Sequence, residues 1–440
     1  MPADTLALFP DSAHINHTGS LVIGGCEVLR LAAEFGTPLY LYDAATMDHV
    51  VETYRSALSR HYPGEAQLAY AAKAWLCTAT ARWAADRTLG LDVVSGGELA
   101  MAQHGGVPPA RIHFHGNNKS DAELAQALDA GVGCVVVDHP GELVRLDELA
   151  LGRGCRQRIW LRINPDVDTD THRHTQTGHG ASKFGLTLRD GTAEATIRDA
   201  LNRRGVMLTG LHCHIGSQLS DAEPLAAAAQ RLLDLAARLR DATGWQPVEL
   251  STGGGWAVAY SSQQLPGLPP VETCVARVSE AVVQRCRQHR LALPRLVLEP
   301  GRSLVARAGV AVYTVGAVKQ AGDVIYAFID GGLADNPRHA LYGARYTALL
   351  ANRRGGVVRQ RVHVAGPYCE TGDVLIEDIE LPPLVPGDLL AVPVSGAYQL
   401  SMASNYNAAL RPAVVWLEDG QATLVQRRET LDDLLRRDLV

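Results

Sequence analysis

The segment LTGLHCHIGSQLSDAEPLAAAAQRLLDLAARLRDATGWQPVELSTGGG, residues Leu208–Gly255, decides the fold. It opens with an apolar run through His212-Cys213-His214-Ile215 and closes on a second, Val248–Thr252, just before three glycines. Between them EPLAAAAQRLLDLAARLRDATG, Glu223–Gly244, repeats its apolar residues with a period near 3.6, the mark of a helix with one buried face. Strand, helix and strand in succession predict parallel pairing.

The same pattern extends outward from Gln67 to Gly301. Its apolar runs are Leu68–Lys73, Gly90–Ser95, Arg111–Gly116, Cys134–Asp138, Arg158–Asn164, Leu208–Ile215, Val248–Thr252 and Arg295–Glu299. Helical stretches separate them. One begins with Ser120 and Glu123 at capping-box spacing and ends at Gly131, a C-terminal helix signal. Eight such units predict a closed (β/α)8 TIM-like barrel, although an open doubly wound sheet satisfies the same alternation. A barrel has a sharp corollary: chemistry collects at the C-terminal strand ends, where the loops form the active face.

After about Arg307 the pattern changes to VAVYTVGAVK, VIYAFIDGG, RQRVHVAGP, DLLAVPVSGAY, RPAVVWLEDG and QATLVQRRE, short β-rich runs separated by turn residues. They predict a C-terminal, mostly antiparallel β domain. Near the start, LVIGGCEVL also reads as a strand and turn. The expected division is therefore a barrel over 37–305 and a β-rich domain made of 1–36 and 306–440.

The 440 residues suit two domains, and 47% hydrophobic with 20% charged residues is the balance of a globular chain with a full core. A formal net charge of -6 leaves no electrostatic footprint for nucleic acid or an anionic membrane. The 8 cysteines are scattered, with no C-x-x-C pair, as in a reduced cytosolic protein. The N-terminus MPADTLALFP lacks a signal-peptide pattern, and no apolar run approaches the roughly 20 residues that span a bilayer. A soluble, cytoplasmic protein without a nucleic-acid or membrane partner is expected.

Several strand ends carry reactive residues. Lys73 ends the first run, in LAYAAKAW. A snorkelling surface lysine is the bland reading; a desolvated amine of lowered pKa, suited to Schiff-base formation, is the sharper one. The seventh run ends in Ser251-Thr252-Gly253-Gly254-Gly255. Alone it is a tight turn, but barrels often bind phosphate after strands seven and eight, where glycines let backbone N–H groups approach. The eighth ends in Glu299-Pro300-Gly301-Arg302, a carboxylate and a guanidinium suited to a phosphorylated nitrogen ring.

In the sixth run, strand alternation puts His212 and His214 on one face. No carboxylate or cysteine set completes a metal site there, so a histidine stacked on a cofactor or handling a proton is the better reading. The loop THRHTQTGHG, with His172, His174 and His179, lacks regular ligand spacing, and such loop histidines are usually solvated. Cys369 stands beside Glu370 in GPYCETGD, with no local means of lowering its pKa, and Tyr398 lies in GAYQLSMASNYN.

YAAKA, LDVVSGGE, HGNNKS, KFG, HCHIGSQ, GGG, EPGRS, DGGLADNPRHALYGARY, CETGD and GAYQLSMASNYN together carry a family likeness. From about Gly36 to Tyr406 the chain resembles the diaminopimelate decarboxylases. These belong to the alanine-racemase-like class of pyridoxal 5'-phosphate enzymes that includes ornithine and arginine decarboxylases. The resemblance implies that Lys73 carries the cofactor, Glu299 pairs with its pyridine nitrogen and His214 stacks on the ring. Ser217, Gly253, Gly254, Gly255, Gly301, Arg302 and Tyr398 would surround the phosphate. Arg302, Arg338, Tyr342 and Tyr398 would meet the substrate, with the arginines on its distal carboxylate. Glu370, facing the distal ammonium, and Cys369, a proton donor, would come from the partner of a homodimer with shared active sites. The chain departs from the family pattern at Ser251-Thr252, ahead of the glycines, and at Trp256 after them.

The implied reaction is decarboxylation of meso-2,6-diaminopimelate to L-lysine. Ornithine and lysine offer only an ammonium at the distal end, which an arginine pair would repel. Three other readings compete: a related decarboxylase of ornithine, lysine, arginine or a specialised-pathway amino acid; a cofactor-binding homologue without turnover; and a racemase on the same fold. Intact Lys73, Glu299, Cys369 and Tyr398 weigh against the second, and the CETGD and NPR motifs against the third.

Overall fold

A computed structural model describes residues 3–167, 182–356 and 358–439. The loop histidines His172, His174 and His179 lie outside the described residues. The chain forms two compact units, one of Val51–Ala257 and Leu268–Gly301, the other of Met1–Val50, Val258–Gly267 and Arg302–Val440.

The first unit is the barrel. Its strands are Ala66–Ala71, Gly90–Val93, Ile112–Phe114, Cys134–Val137, Gln157–Asn164, Val206–His212, Glu249–Ser251 and Arg295–Leu298, one in each predicted run. Each pairs in parallel with the next, and the eighth closes on the first where Leu296 meets Ala66. Closure excludes the open sheet. Ala69, Cys134, Val136, Trp160 and Val297 pack into one buried cluster.

The helix Glu223–Thr243 buries Leu225, Leu232, Leu235 and Leu239, the helical stripe its sequence predicts. Each buried leucine contributes about 1.5–3 kcal/mol. The capping box at Ser120 forms as expected, with Glu123 N donating to Ser120 Oγ at 3.2 Å and Ser120 N to Glu123 Oε2 at 3.0 Å. Gly131 ends that helix at φ 68°, where a side chain would be strained. At the N-terminal strand ends, Glu249 Oε2 accepts from Thr209 Oγ1, Trp160 Nε1 and Arg158 Nη2, each at 2.9 Å. That carboxylate ties strands five, six and seven together on the face that serves stability.

The second unit is mostly antiparallel. Its long strand Gly309–Ala321 pairs antiparallel with Leu39–Asp43, Leu389–Val392 and Val324–Ile329, while Leu39–Asp43 runs parallel to Ala413–Glu418. The sequence reading set the barrel's start at residue 37, but Leu39–Asp43 belongs to this sheet. Flanked by a strand on each side, all five of its residues are buried. Leu21, Ile23, Val28 and Leu31 join Leu39, Leu41, Val310, Val312 and Val415 in one core. Val374–Leu381 is a further strand, hidden in the sequence because Glu377, Asp378 and Glu380 interrupt its apolar pattern. Among the described residues it pairs only with Gln360–Ala365 and so tolerates those charges as an edge strand. Among the described residues no helix is long and apolar enough to cross a membrane.

Candidate active site

The eighth strand stops at Leu298, and the next residue, Glu299, is buried. Ser251 Oγ donates to its Oε1 at 2.5 Å, and His212 Nε2 lies 3.0 Å from its Oε2. Burial alone would push this carboxyl up. The favourable fields of His212 and His115 and the two hydrogen bonds outweigh burial and hold it well below the usual carboxylate range. Burial pushes His212 below its ordinary value, so a neutral imidazole donates Nε2–H to an ionised Glu299. A fixed, ionised carboxylate is a suitable acceptor for a protonated ring nitrogen.

The glycine turn is tied to this group. Gly253 N donates to Ser251 Oγ at 3.1 Å, and Glu299 N donates to the Gly253 carbonyl at 2.9 Å. Gly253 holds φ at 69°, and a Cβ on Gly254 would collide with the Glu299 carbonyl. The turn therefore requires glycine and offers a bare backbone cradle of the kind that phosphate uses. Leu219 N donates to the Gly255 carbonyl at 2.9 Å, which brings the Ser217 segment alongside. Trp256 is buried, with its ring 5.4 Å from that of Tyr54 in an edge-to-face contact.

Lys73 sits on the short 3₁₀ turn Ala72–Ala74, just past the first strand, and is exposed. Position in the sequence leaves a surface lysine and a desolvated amine both open; the strand ends two residues earlier, and the turn carries Lys73 out of the apolar run. Its charge acts on Glu98 and His214. His214 also lies beyond its strand, which ends at His212, so strand alternation does not relate the two histidines. Burial first, then the Lys73 and Arg162 charges, hold His214 well below its ordinary value as a neutral ring. Gly254 N donates to its Nδ1 at 3.3 Å.

Behind Glu299 runs a ladder that sequence reasoning missed. His113 Nδ1 is 2.9 Å from Asp92 Oδ1, and the His115 ring meets the His212 ring at 4.9 Å. The ligand atoms of Asp92, His113 and His115, and of His115, His212 and Glu299, come within 4.8 Å of one another. His212 thus has a carboxylate and a second histidine beside it, contrary to expectation, because they arrive from other strands.

In the second unit, Arg302 and Arg338 are both buried. Arg302 Nη1 donates to Tyr260 Oη at 2.7 Å and Arg338 Nη1 to the same oxygen at 2.9 Å. Arg338 Nη1 also donates to Tyr346 Oη at 2.9 Å, which accepts from Gln399 Nε2 at 2.9 Å. The Arg302 guanidinium lies 4.6 Å from the ring centre of Tyr398. Tyr398 holds φ at 72°, a strained value for a bulky residue. Tyr342 ends the short helix that Arg338 begins and is partly exposed.

Cys369 and Glu370 are exposed on the turn between Gln360–Ala365 and Val374–Leu381. Cys369 N donates to Asn407 Oδ1 at 3.2 Å. Among the described residues neither side chain hydrogen-bonds to Arg302 or Arg338. Tyr260 and Gln399 escape the sequence reading because neither residue type announces chemistry by itself, and the arginines they meet stand 36 residues apart in the chain.

Residues 47–306 match the family described as "Pyridoxal-dependent decarboxylase, pyridoxal binding domain". The chain is 43% identical over 425 residues to the diaminopimelate decarboxylase of Bacillus subtilis (strain 168), covering 96% of each chain. It is 44% identical over 441 residues to the diaminopimelate decarboxylase of Actinosynnema pretiosum subsp. auranticum, covering 100% of this chain and 97% of the relative. The solved diaminopimelate decarboxylase from M. jannaschii in co-complex with L-lysine is similar at a TM-score of 0.91, with 34% identity over 98% of both chains.

Proposed function

The chain belongs to the diaminopimelate decarboxylase family of pyridoxal-dependent decarboxylases, and we propose that it converts meso-2,6-diaminopimelate to L-lysine and CO2 in the cytoplasm. The observation that carries the substrate is the pair of buried guanidiniums, Arg302 and Arg338, that converge on one tyrosine oxygen. Such a pair suits a carboxylate at the distal end of the substrate and would repel the bare ammonium of ornithine. The 8 cysteines are free and most of them buried, which suits a reducing compartment.

The first unit fits pyridoxal phosphate, since its glycine turn admits no Cβ and its buried carboxylate is ionised. When bound, the cofactor supplies an electron-accepting ring that stabilises the negative charge left on carbon as CO2 departs. Lys73 would hold it covalently through its amine, and the Gly253–Gly255 turn with Ser217, Gly301, Arg302 and Tyr398 would hold its phosphate. Glu299, kept ionised by His212 and Ser251, would hold the proton on the ring nitrogen. His214, neutral, would cover the ring face without adding charge.

Arg302, Arg338 and Tyr342 would fix the distal carboxylate and Glu370 the distal ammonium, which leaves the other carboxyl to react. Cys369 would return a proton to the carbon that loses CO2. Because Cys369 and Glu370 are exposed, their supply by a second copy in a homodimer is part of this reading.

The test is CO2 release from meso-diaminopimelate, L-ornithine and L-lysine, with the visible absorption band of the purified protein recorded beside it. We expect turnover of the first alone, and loss of the band in Lys73→Ala. Activity on ornithine or lysine with none on diaminopimelate overturns the assignment.

A further inference from the structure

Tyr260 belongs to no motif of the sequence and stands five residues past the glycine turn. It is buried, and its hydroxyl oxygen accepts one N–H from Arg302, at 2.7 Å, and one from Arg338, at 2.9 Å. A phenol oxygen has two lone pairs and one proton. The two guanidiniums take both lone pairs, so the hydroxyl can add only a donated hydrogen. Arg338 spends both Nη1 hydrogens on phenols, Tyr260 and Tyr346, each at 2.9 Å. That leaves its Nε–Nη2 edge, the edge with which an arginine can bind a carboxylate bidentately.

We propose that Tyr260 is a specificity-determining residue for the distal carboxylate: its hydroxyl spaces Arg302 and Arg338 and donates its own hydrogen to the carboxylate they hold. The inference rests on the reading of those arginines given above, and it adds a third donor to the pair. Burial alone would push the phenol up, but the two guanidiniums hold it below its ordinary value. A more acidic hydroxyl is a stronger donor to an anion. The contact of the Tyr260 and Tyr346 rings, 5.6 Å apart and 84° between planes, holds the phenol in place from the side.

The experiment compares two inhibitors of the holoenzyme: L-lysine, which keeps the distal carboxylate, and cadaverine, the same chain without it. In Tyr260→Phe the inhibition constant of L-lysine should rise about tenfold, the loss of one hydrogen bond to a charged group. That of cadaverine should stay within about twofold, the residue of packing changes alone. KM for meso-diaminopimelate should rise more than kcat falls, with the cofactor's absorption band unchanged. Arg338→Ala is the reference. If it too leaves the preference for L-lysine over cadaverine intact, the carboxylate reading of the arginines fails. If it abolishes the preference while Tyr260→Phe retains it, Tyr260 alone is refuted. Equal weakening of both inhibitors, or loss of the band, assigns Tyr260 a merely structural role and also overturns the proposal. Tyr260→His, which keeps a ring-borne donor, should retain part of the preference; it decides the matter if the phenylalanine variant does not fold.

Discussion

Replacing Ser251 by alanine should damage the site out of proportion to the single oxygen removed. The hydroxyl donates to the ionised Glu299 at 2.5 Å and accepts from Gly253 N at 3.1 Å, in a residue with 0% exposure. A hydrogen bond to a charged group contributes about 1.5–3 kcal/mol, and a buried N–H left without its acceptor costs about 1–3 kcal/mol. The expected loss of stability is therefore roughly 2.5–6 kcal/mol, a large fraction of the roughly 5–15 kcal/mol that holds a typical domain together. The same bonds tie the glycine turn to the carboxylate, so cofactor affinity should fall about tenfold, the equivalent of about 1.4 kcal/mol. Thr252 supplies the control. It is equally buried, at 0%, but its hydroxyl has no hydrogen-bond partner among the described residues. Thr252→Ala should change stability by less than about 1 kcal/mol, because losing an unsatisfied hydroxyl offsets the lost methyl contact. The assays are urea unfolding and titration of pyridoxal phosphate followed by absorbance. Equal losses in the two variants would refute the reasoning, since the Ser251–Glu299 bond would then contribute nothing of its own.

Two further outcomes are expected. Lys119 is buried and donates from Nζ to the Gly116 and Val136 carbonyls, at 2.7 and 2.8 Å, and to Glu142 Oε1 at 2.6 Å. Lys119→Met leaves Glu142 buried without its counter-ion and should cost about 3–5 kcal/mol in urea unfolding, much of it regained in Lys119→Met/Glu142→Leu. A single variant within about 1 kcal/mol of the parent would remove the pair from the stability account. Stability should also fall with acid. His212 and His214 are held below their ordinary 6.5, foremost by burial, so below that pH the unfolded chain binds protons that the native one refuses. The unfolding free energy then drops as pH falls from 6.5 toward the folded values, each histidine adding a slope of up to about 1.4 kcal/mol per pH unit. A denaturation midpoint that stays flat between roughly pH 7.5 and 5.5 contradicts this, and His212→Gln should flatten the slope.

Alternation of apolar runs with 3.6-period helices is a local property, and so the eight barrel strands, the capping box at Ser120 and the change to β structure after Arg307 were legible in the sequence. The strand ends pointed to Lys73, Gly253 and Glu299 for the same reason, since a barrel confines chemistry to one rim. Tertiary structure alone decided which groups meet there. Ser251 reaches Glu299 across 48 residues and His212 across 87, while Tyr260 is joined to Arg302 across 42 and to Arg338 across 78. Such partners are chosen by which strands close the ring or share a sheet, and no periodicity of a single segment records that. The charge states follow the same rule: burial and long-range neighbours keep Glu299 ionised and His214 neutral, whereas the exposure of Lys73 depends on a turn two residues past its strand.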